Sequence, residues 1–260
     1  MQKNPWFPFG VPRPEAALRL YCLPFAGGSA SIYRTWMGAL GPDVQVVPVE
    51  LPGRGTRPRE GLFSQMALLG LAVAEAMRPD LGRPYALFGH SMGALLAYEV
   101  ARALRRSGGP PPRMLFCSAH RPPRAVDPDP PLRDLPRDAL IAHLRRLGGT
   151  PVELFEHEEL MDLALPVLRA DFALTETYDP PLEAPLELPL VALASLMDTR
   201  APWAEVEGWS AFCGDAFRFR IFPGDHFFLK SQERAVLAAI SEDLRSAGGG
   251  RASDAGAVAW

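Results

Sequence analysis

The stretch Gly89-His90-Ser91-Met92-Gly93 constrains the chain more than any other. Apolar residues of strand character run into it over 85–88, and residues 94–104 leave it with apolar positions at helical spacing. Strand, G-x-S-x-G, helix is the setting in which the pentapeptide forms a nucleophile elbow. A turn that tight puts Ser91 in a strained conformation, and the flanking glycines clear room for the crossing backbones. The Ser91 hydroxyl then stands above the sheet at a helix N-terminus, where negative charge is favoured. A strand-to-helix turn without chemistry is the plain alternative.

Around this turn the chain alternates. Strands are expected over 18–24, 44–51, 85–88, 114–119, 188–196 and 217–224, with helices over 31–40, 66–77, 94–104 and 232–244. Residues 1–17 read as an irregular, proline-rich arm. The alternation predicts an α/β protein, a mostly parallel central sheet with helices on both faces. One stretch, 120–186, holds no convincing strand. It offers a proline-rich entry and two helices, over 136–147 and over 158–177, the second interrupted at Pro166. An insertion at that point lies over the C-terminal edge of the sheet, where open α/β sheets bind ligands. It reads either as a lid or as a structural subdomain. The expected organisation is a single domain over 1–247 with its insertion at about 120–186, followed by a disordered Gly/Ala/Ser-rich tail at 248–260.

Charge narrows the function classes. The net charge is -3, so a nucleic-acid partner is not indicated. The charges near the insertion are segregated: residues 102–146 hold ten arginines against four aspartates, and 153–187 hold ten acidic residues against Arg169. Most of these read as solvated helix surface. Lysine occurs only at Lys3 and Lys230, which reads as compositional bias. Cys22, Cys117 and Cys213 are odd in number and widely spaced, the pattern of buried free thiols. With no apolar leader and no membrane-length run, a cytoplasmic, monomeric protein is expected. The scattered histidines give no metal-ligand spacing.

A serine nucleophile needs a base, and the base an orienting acid, in the chain order serine, acid, histidine. His226, in Phe222-Pro223-Gly224-Asp225-His226-Phe227-Phe228, follows the last strand and precedes the last helix. His120, His143 and His157 lie in or beside the insertion, and His90 faces away from the turn as a structural residue. Asp198 follows the preceding strand and is favoured as the acid, with Asp225 as competitor. An oxyanion hole needs two donors: the Met92 N–H is one, and the loop Phe25-Ala26-Gly27-Gly28 supplies the other from Ala26, or from Phe25 one residue earlier. Arg54 and Arg57 either contact substrate or, the preferred reading, brace their turn. Trp36, Trp203 and Trp209 read as packing.

Four ordered motifs, Leu23-Pro24-Phe25-Ala26-Gly27-Gly28, Leu51-Pro52-Gly53-Arg54-Gly55, Gly89-His90-Ser91-Met92-Gly93 and Phe222-Pro223-Gly224-Asp225-His226-Phe227, resemble those of the type II thioesterases, the stand-alone editing hydrolases of polyketide and nonribosomal peptide synthesis. The resemblance covers about residues 20–245. It departs from the family at Ala194-Ser195-Leu196-Met197-Asp198-Thr199, where a glycine-rich turn is usual. It implies an α/β-hydrolase fold with a mobile helical lid over the site. It also implies hydrolysis of acyl groups from the phosphopantetheine arm of acyl or peptidyl carrier proteins, with no cofactor of the enzyme's own. The cationic part of the insertion, Arg121 and Arg124 included, is then expected to meet the acidic carrier protein. A general carboxylesterase or peptidase would use the same triad. A cyclising release thioesterase is disfavoured by the lack of a fused carrier domain, and a non-catalytic hydrolase-fold scaffold by the presence of all three triad residues.

Overall fold

The computed structural model describes residues 4–9, 13–125, 130–214 and 216–248. In chain order its elements are β1 (Leu18–Leu23), β2 (Val44–Pro48), α1 (Met66–Met77), β3 (Tyr85–His90), α2 (Met92–Arg106), β4 (Leu115–Ser118), α3 (Arg137–Leu147), α4 (Val152–Glu156), α5 (Glu158–Glu176), β5 (Leu190–Ser195), α6 (Trp203–Val206), β6 (Phe217–Phe222), α7 (Phe228–Ser231) and α8 (Glu233–Gly248). All six strands pair in parallel, in the order β2-β1-β3-β4-β5-β6. Successive side chains of a strand point to opposite faces, and both faces here are covered. Tyr21, Leu23, Leu87, Leu115 and Ala192 pack with α1 and α2, whereas Leu20, Cys22, Phe88, Phe116 and Val191 pack with Tyr33, Trp36 and α8. That explains why the inner strands are apolar runs rather than alternating ones. Each fully buried large side chain contributes about 1.5–3 kcal/mol.

The strand order has a consequence for chemistry. From β1 the chain goes outward to β2 and then returns to the far side of β1 as β3. The C-terminal ends of β1 and β3 are therefore neighbours, with Leu23 opposite Gly89, and the loops leaving them diverge over a topological switch point. At the other end of the sheet Ser195 of β5 lies opposite Phe222 of β6. The loops that follow those two strands carry Asp198 and His226.

Two local expectations change. The segment expected as a helix over 31–40 is a 3-10 helix at Ala30–Trp36. The break expected at Pro166 is absent: α5 runs through that proline. The missing N–H and ring clash cost about 3 kcal/mol. They are offset by burial of Met161, Leu165, Leu168 and Phe172 in a separate core shared with α3. The tail expected at 248–260 lies, beyond Gly248, outside the described residues.

The segregated charges find one another within the chain. Arg102 and Arg105 bond Glu183 at 2.7 and 2.5 Å, Arg124 bonds Asp179 at 3.1 Å and Arg137 bonds Asp162 at 2.5 Å. Arg121, expected on a docking surface, is buried and bonds Glu205 at 2.5 Å. Several charges of the two stretches thus pair while most stay on the exposed surface, and Arg121 is turned inward to Glu205 rather than toward a partner. Among the described residues no helix is long and apolar enough to cross a membrane.

Candidate active site

Ser91 sits between β3 and α2 at φ 54° and ψ -123°, a conformation that costs about 1–3 kcal/mol in a non-glycine residue. It is held by its own peptide groups: its N–H donates to Ser118 O at 2.8 Å and its carbonyl accepts from Ala94 N–H at 2.8 Å. The loops that follow β5 and β6 bring Asp198 and His226 to the hydroxyl, although 135 residues separate Ser91 from His226. His226 Nε2 lies 3.0 Å from Ser91 Oγ, and His226 Nδ1 lies 2.8 Å from Asp198 Oδ2. A carboxylate oxygen only accepts, so Nδ1 carries the proton and Nε2 presents a lone pair to the serine O–H. The other Asp198 oxygen accepts the Arg200 and Ala201 N–H groups at 2.8 and 2.9 Å. Both oxygens of the buried carboxylate are therefore satisfied, and the altered turn before Asp198 does not displace it. Asp225, the competitor, instead caps its own turn by accepting Phe227 N–H at 2.9 Å.

His90 is fully buried beneath this group. Its Nε2 faces the His226 carbonyl oxygen at 2.9 Å and must donate, leaving Nδ1 to accept from Ser118 Oγ at 2.9 Å. It holds the backbone of His226, a structural role that agrees with the sequence reading. Among the described residues neither the Met92 nor the Ala26 N–H has a hydrogen-bond acceptor, so both donors expected for an oxyanion hole are uncommitted. Arg57 braces its loop, reaching Glu50 O at 3.0 Å and Glu60 at 2.8 Å while stacking on Trp6. Arg54 pairs with Asp171 of α5. Trp36 and Trp209 are buried, whereas Trp203 is 43% exposed.

A cavity of about 40 Å³, room for roughly three waters, opens beside Ser91. It is bounded by Ala26, Met92 and His226, by His120 after β4, and by Leu147, Phe172 and Thr175 of the insertion. A wider groove between β6 and α8 contains none of these residues. The sequence reading missed His120 and Phe172 as cavity residues because nothing local distinguishes them. It also missed Asp171, although one signal exists: a carboxylate three residues after Leu168 and next to Phe172 falls on the apolar stripe of its helix.

Burial pushes His90 well below the ordinary imidazole range, reinforced by the charge His226 would carry when protonated, and burial lowers His120 to about 4. Both stay neutral in the folded protein, while an unfolded histidine takes up its proton near pH about 6.5. The stability they contribute is complete above that pH and is lost as pH falls toward 4, at up to about 1.4 kcal/mol per pH unit for each. Urea unfolding of wild type and His120→Gln at pH 7 and pH 5 checks this. The variant is expected to lose about 1–2 kcal/mol less than wild type between the two; parallel losses would contradict the assignment.

Comparison with known proteins bears on the chemistry. A family model described as "Thioesterase domain" matches residues 18–244. RedJ, a thioesterase from the prodiginine biosynthetic pathway in Streptomyces coelicolor, superposes with a TM-score of 0.84 at 42% identity, over 94% of this chain and 100% of its own. BorB, the type II thioesterase from the borrelidin biosynthetic cluster, gives 0.80 at 36% identity, over 88% of this chain and 93% of its own. Among curated relatives, a Brevibacillus parabrevis protein named linear gramicidin dehydrogenase LgrE is 40% identical over 235 residues, 89% of either chain. That name speaks of dehydrogenation, whereas the residues gathered around Ser91 are those of acyl transfer.

Proposed function

The chain belongs to the thioesterase domain family, and from that membership we propose that it hydrolyses short acyl thioesters carried on the phosphopantetheine arm of acyl or peptidyl carrier proteins, clearing aberrant groups from stalled synthases. The observation that carries this reading is the unbroken set of hydrogen bonds from Asp198 through His226 to Ser91, at 2.8 and 3.0 Å. In the proposed reaction Ser91 Oγ attacks the thioester carbonyl while His226 Nε2 takes its proton, and buried Asp198 stabilises the imidazolium. The negative oxygen of the tetrahedral intermediate is received by the Met92 and Ala26 N–H groups. The pantetheine thiol leaves with the proton from His226. A water deprotonated by the same imidazole then releases the acid and restores Ser91. The cavity of about 40 Å³ beside Ser91 suits an acetyl or propionyl group better than a long chain.

The test is hydrolysis of acetyl- and propionyl-loaded carrier protein, set against the matched oxygen esters of pantetheine. Release of free acid from the loaded carrier, faster than from the oxygen ester, is expected. A protein that leaves the carrier loaded yet cleaves the oxygen ester would overturn the substrate class while leaving the serine chemistry standing.

A further inference from the structure

The loop carrying Ala26 is a tight turn. Gly28 N–H donates to Phe25 O at 2.8 Å and Gly27 stands at φ 74°, the pattern of a type II turn. The central peptide of such a turn joins Ala26 to Gly27, and here its N–H donates to Asp171 Oδ2 at 2.7 Å. Asp171 belongs neither to the loop nor to the sheet. It stands on α5 in the insertion and is fully buried. Its carboxylate also receives both prongs of Arg54, one at 2.8 Å on Oδ1 and the other on Oδ2. Arg54 itself reaches the carbonyls of Pro52 and Gly28 at 3.3 and 3.5 Å, so the two side chains hold the turn at its central peptide and again at the carbonyl of Gly28. Leu168 closes the packing: a Cβ on Gly27 would lie 2.6 Å from its Cδ2.

Turning the central peptide over would convert the turn to type I and bring the Ala26 carbonyl to face a carboxylate, two acceptors with no proton between them. The charged acceptor makes the native bond roughly twice as strong as a neutral pair. A buried carboxylate stripped of its arginine is also strongly disfavoured, which ties α5 to the sheet as firmly as it ties the turn.

We propose that Asp171 is a positioning residue: by holding the Ala26–Gly27 peptide it fixes the turn whose preceding peptide carries the Ala26 N–H, and through the turn it sets the oxyanion hole; because it rides on α5 the hole is complete only while the insertion is seated on the sheet. The proposal rests on the assignment of Ala26 and Met92 as oxyanion donors. An insertion displaced to admit substrate carries Asp171 away and loosens the turn; its return rebuilds the hole around the bound acyl group. Hydrolysis is thereby coupled to closure from the oxyanion side, without any movement of Ser91, Asp198 or His226.

The experiment uses the full chain with Asp171→Ala, Asp171→Asn and Arg54→Lys. Each is assayed on acetyl-N-acetylcysteamine thioester and for binding of a short alkylboronic acid, whose tetrahedral adduct on Ser91 places an oxygen in the hole. For Asp171→Ala, kcat is expected to fall about 100-fold and boronate affinity by a similar factor, with KM within about twofold of wild type. Asp171→Asn keeps an acceptor for Gly27 and is expected to recover about tenfold of the lost kcat. Unchanged kcat and boronate affinity in folded Asp171→Ala, whatever its Tm, would overturn the proposal. Should that variant fail to fold, Arg54→Lys decides: a roughly tenfold loss of kcat at constant KM supports the coupling, and an unchanged kcat overturns it. Failure of the underlying reading has a different signature, since wild type itself would then show no Ser91-dependent turnover.

Discussion

Ser91→Ala is expected to lower kcat for thioester hydrolysis by a factor of about 10⁵–10⁶. The residual rate comes from water attacking a thioester still polarised by the Met92 and Ala26 N–H groups. The fold has little reason to change, because Ser91 is held through its N–H and carbonyl, which bond Ser118 and Ala94, and alanine retains both. His226→Ala is expected to reach the same floor, and the double variant to fall no further, since nucleophile and base act as one unit. Asp198→Asn should lose about 10⁴, because an amide cannot accept from Nδ1–H at one end without disturbing the Arg200 and Ala201 N–H bonds at the other. Steady-state kinetics with a spectrophotometric thiol assay, together with a Tm for each variant, measures all four. Additive losses in the double variant, or a Ser91→Ala protein within about tenfold of wild type, would remove Ser91 from the role of nucleophile.

Gly89→Ala is expected to be the most damaging glycine-to-alanine change among the described residues. A Cβ at position 89 would lie 1.8 Å from Gly93 O, 2.1 Å from Gly93 C and 2.6 Å from Ala94 N. All three are backbone atoms, so no side chain can swing aside to relieve the clash. The N-terminus of α2 must move, and with it Ser91. A cost of about 3 kcal/mol or more follows, a fall in Tm of about 10 °C for a chain of this size. A displacement of about 1 Å at the nucleophile lowers kcat a further 100-fold or so in whatever protein folds. Gly93→Ala meets a similar obstacle, at 2.3 Å from Leu23 O. Gly61→Ala, where an added Cβ meets nothing within 4 Å, is the control and should match wild type in both Tm and kcat. If Gly89→Ala behaved like the control, the elbow would not have the close backbone crossing described above.

The G-x-S-x-G pattern was legible as an elbow because its cause is local. The glycines are required by atoms of the adjoining helix and of the strand beside it, and the strained serine by the sharp reversal between strand and helix. His226 and Asp198 were legible for a related reason. Asp198 follows β5, whose apolar run marks it as an inner strand, His226 follows the last strand, β6, at the edge of the sheet, and the chain order serine, acid, histidine leaves few candidates. The loop after the first strand, with Ala26, lies beside Ser91 and Met92 for the same reason. His90 was read as structural from its place in the turn, though its bonds to Ser118 and the His226 carbonyl were not visible in the sequence.

The charged residues were far less legible. Periodicity tells which face of a helix is apolar, but it does not tell which surfaces meet. Ten arginines and ten acids in neighbouring stretches read as solvated surface, with Arg121 reaching toward a partner. Most of them are indeed exposed, but several pair with one another, and Arg121 is buried against Glu205. The helix through Pro166 shows the same limit, since local propensity argues for a break and only the core it packs into outweighs the loss.

The sequence by itself therefore determined the α/β alternation, the elbow and the three residues around it, because each depends on near neighbours and on strand order. Only the tertiary structure decided what holds the loop that carries Ala26. Arg54 and Asp171 stand 117 residues apart, and a charge pair at that separation exists only when two surfaces, each specified by its own apolar packing, are brought face to face.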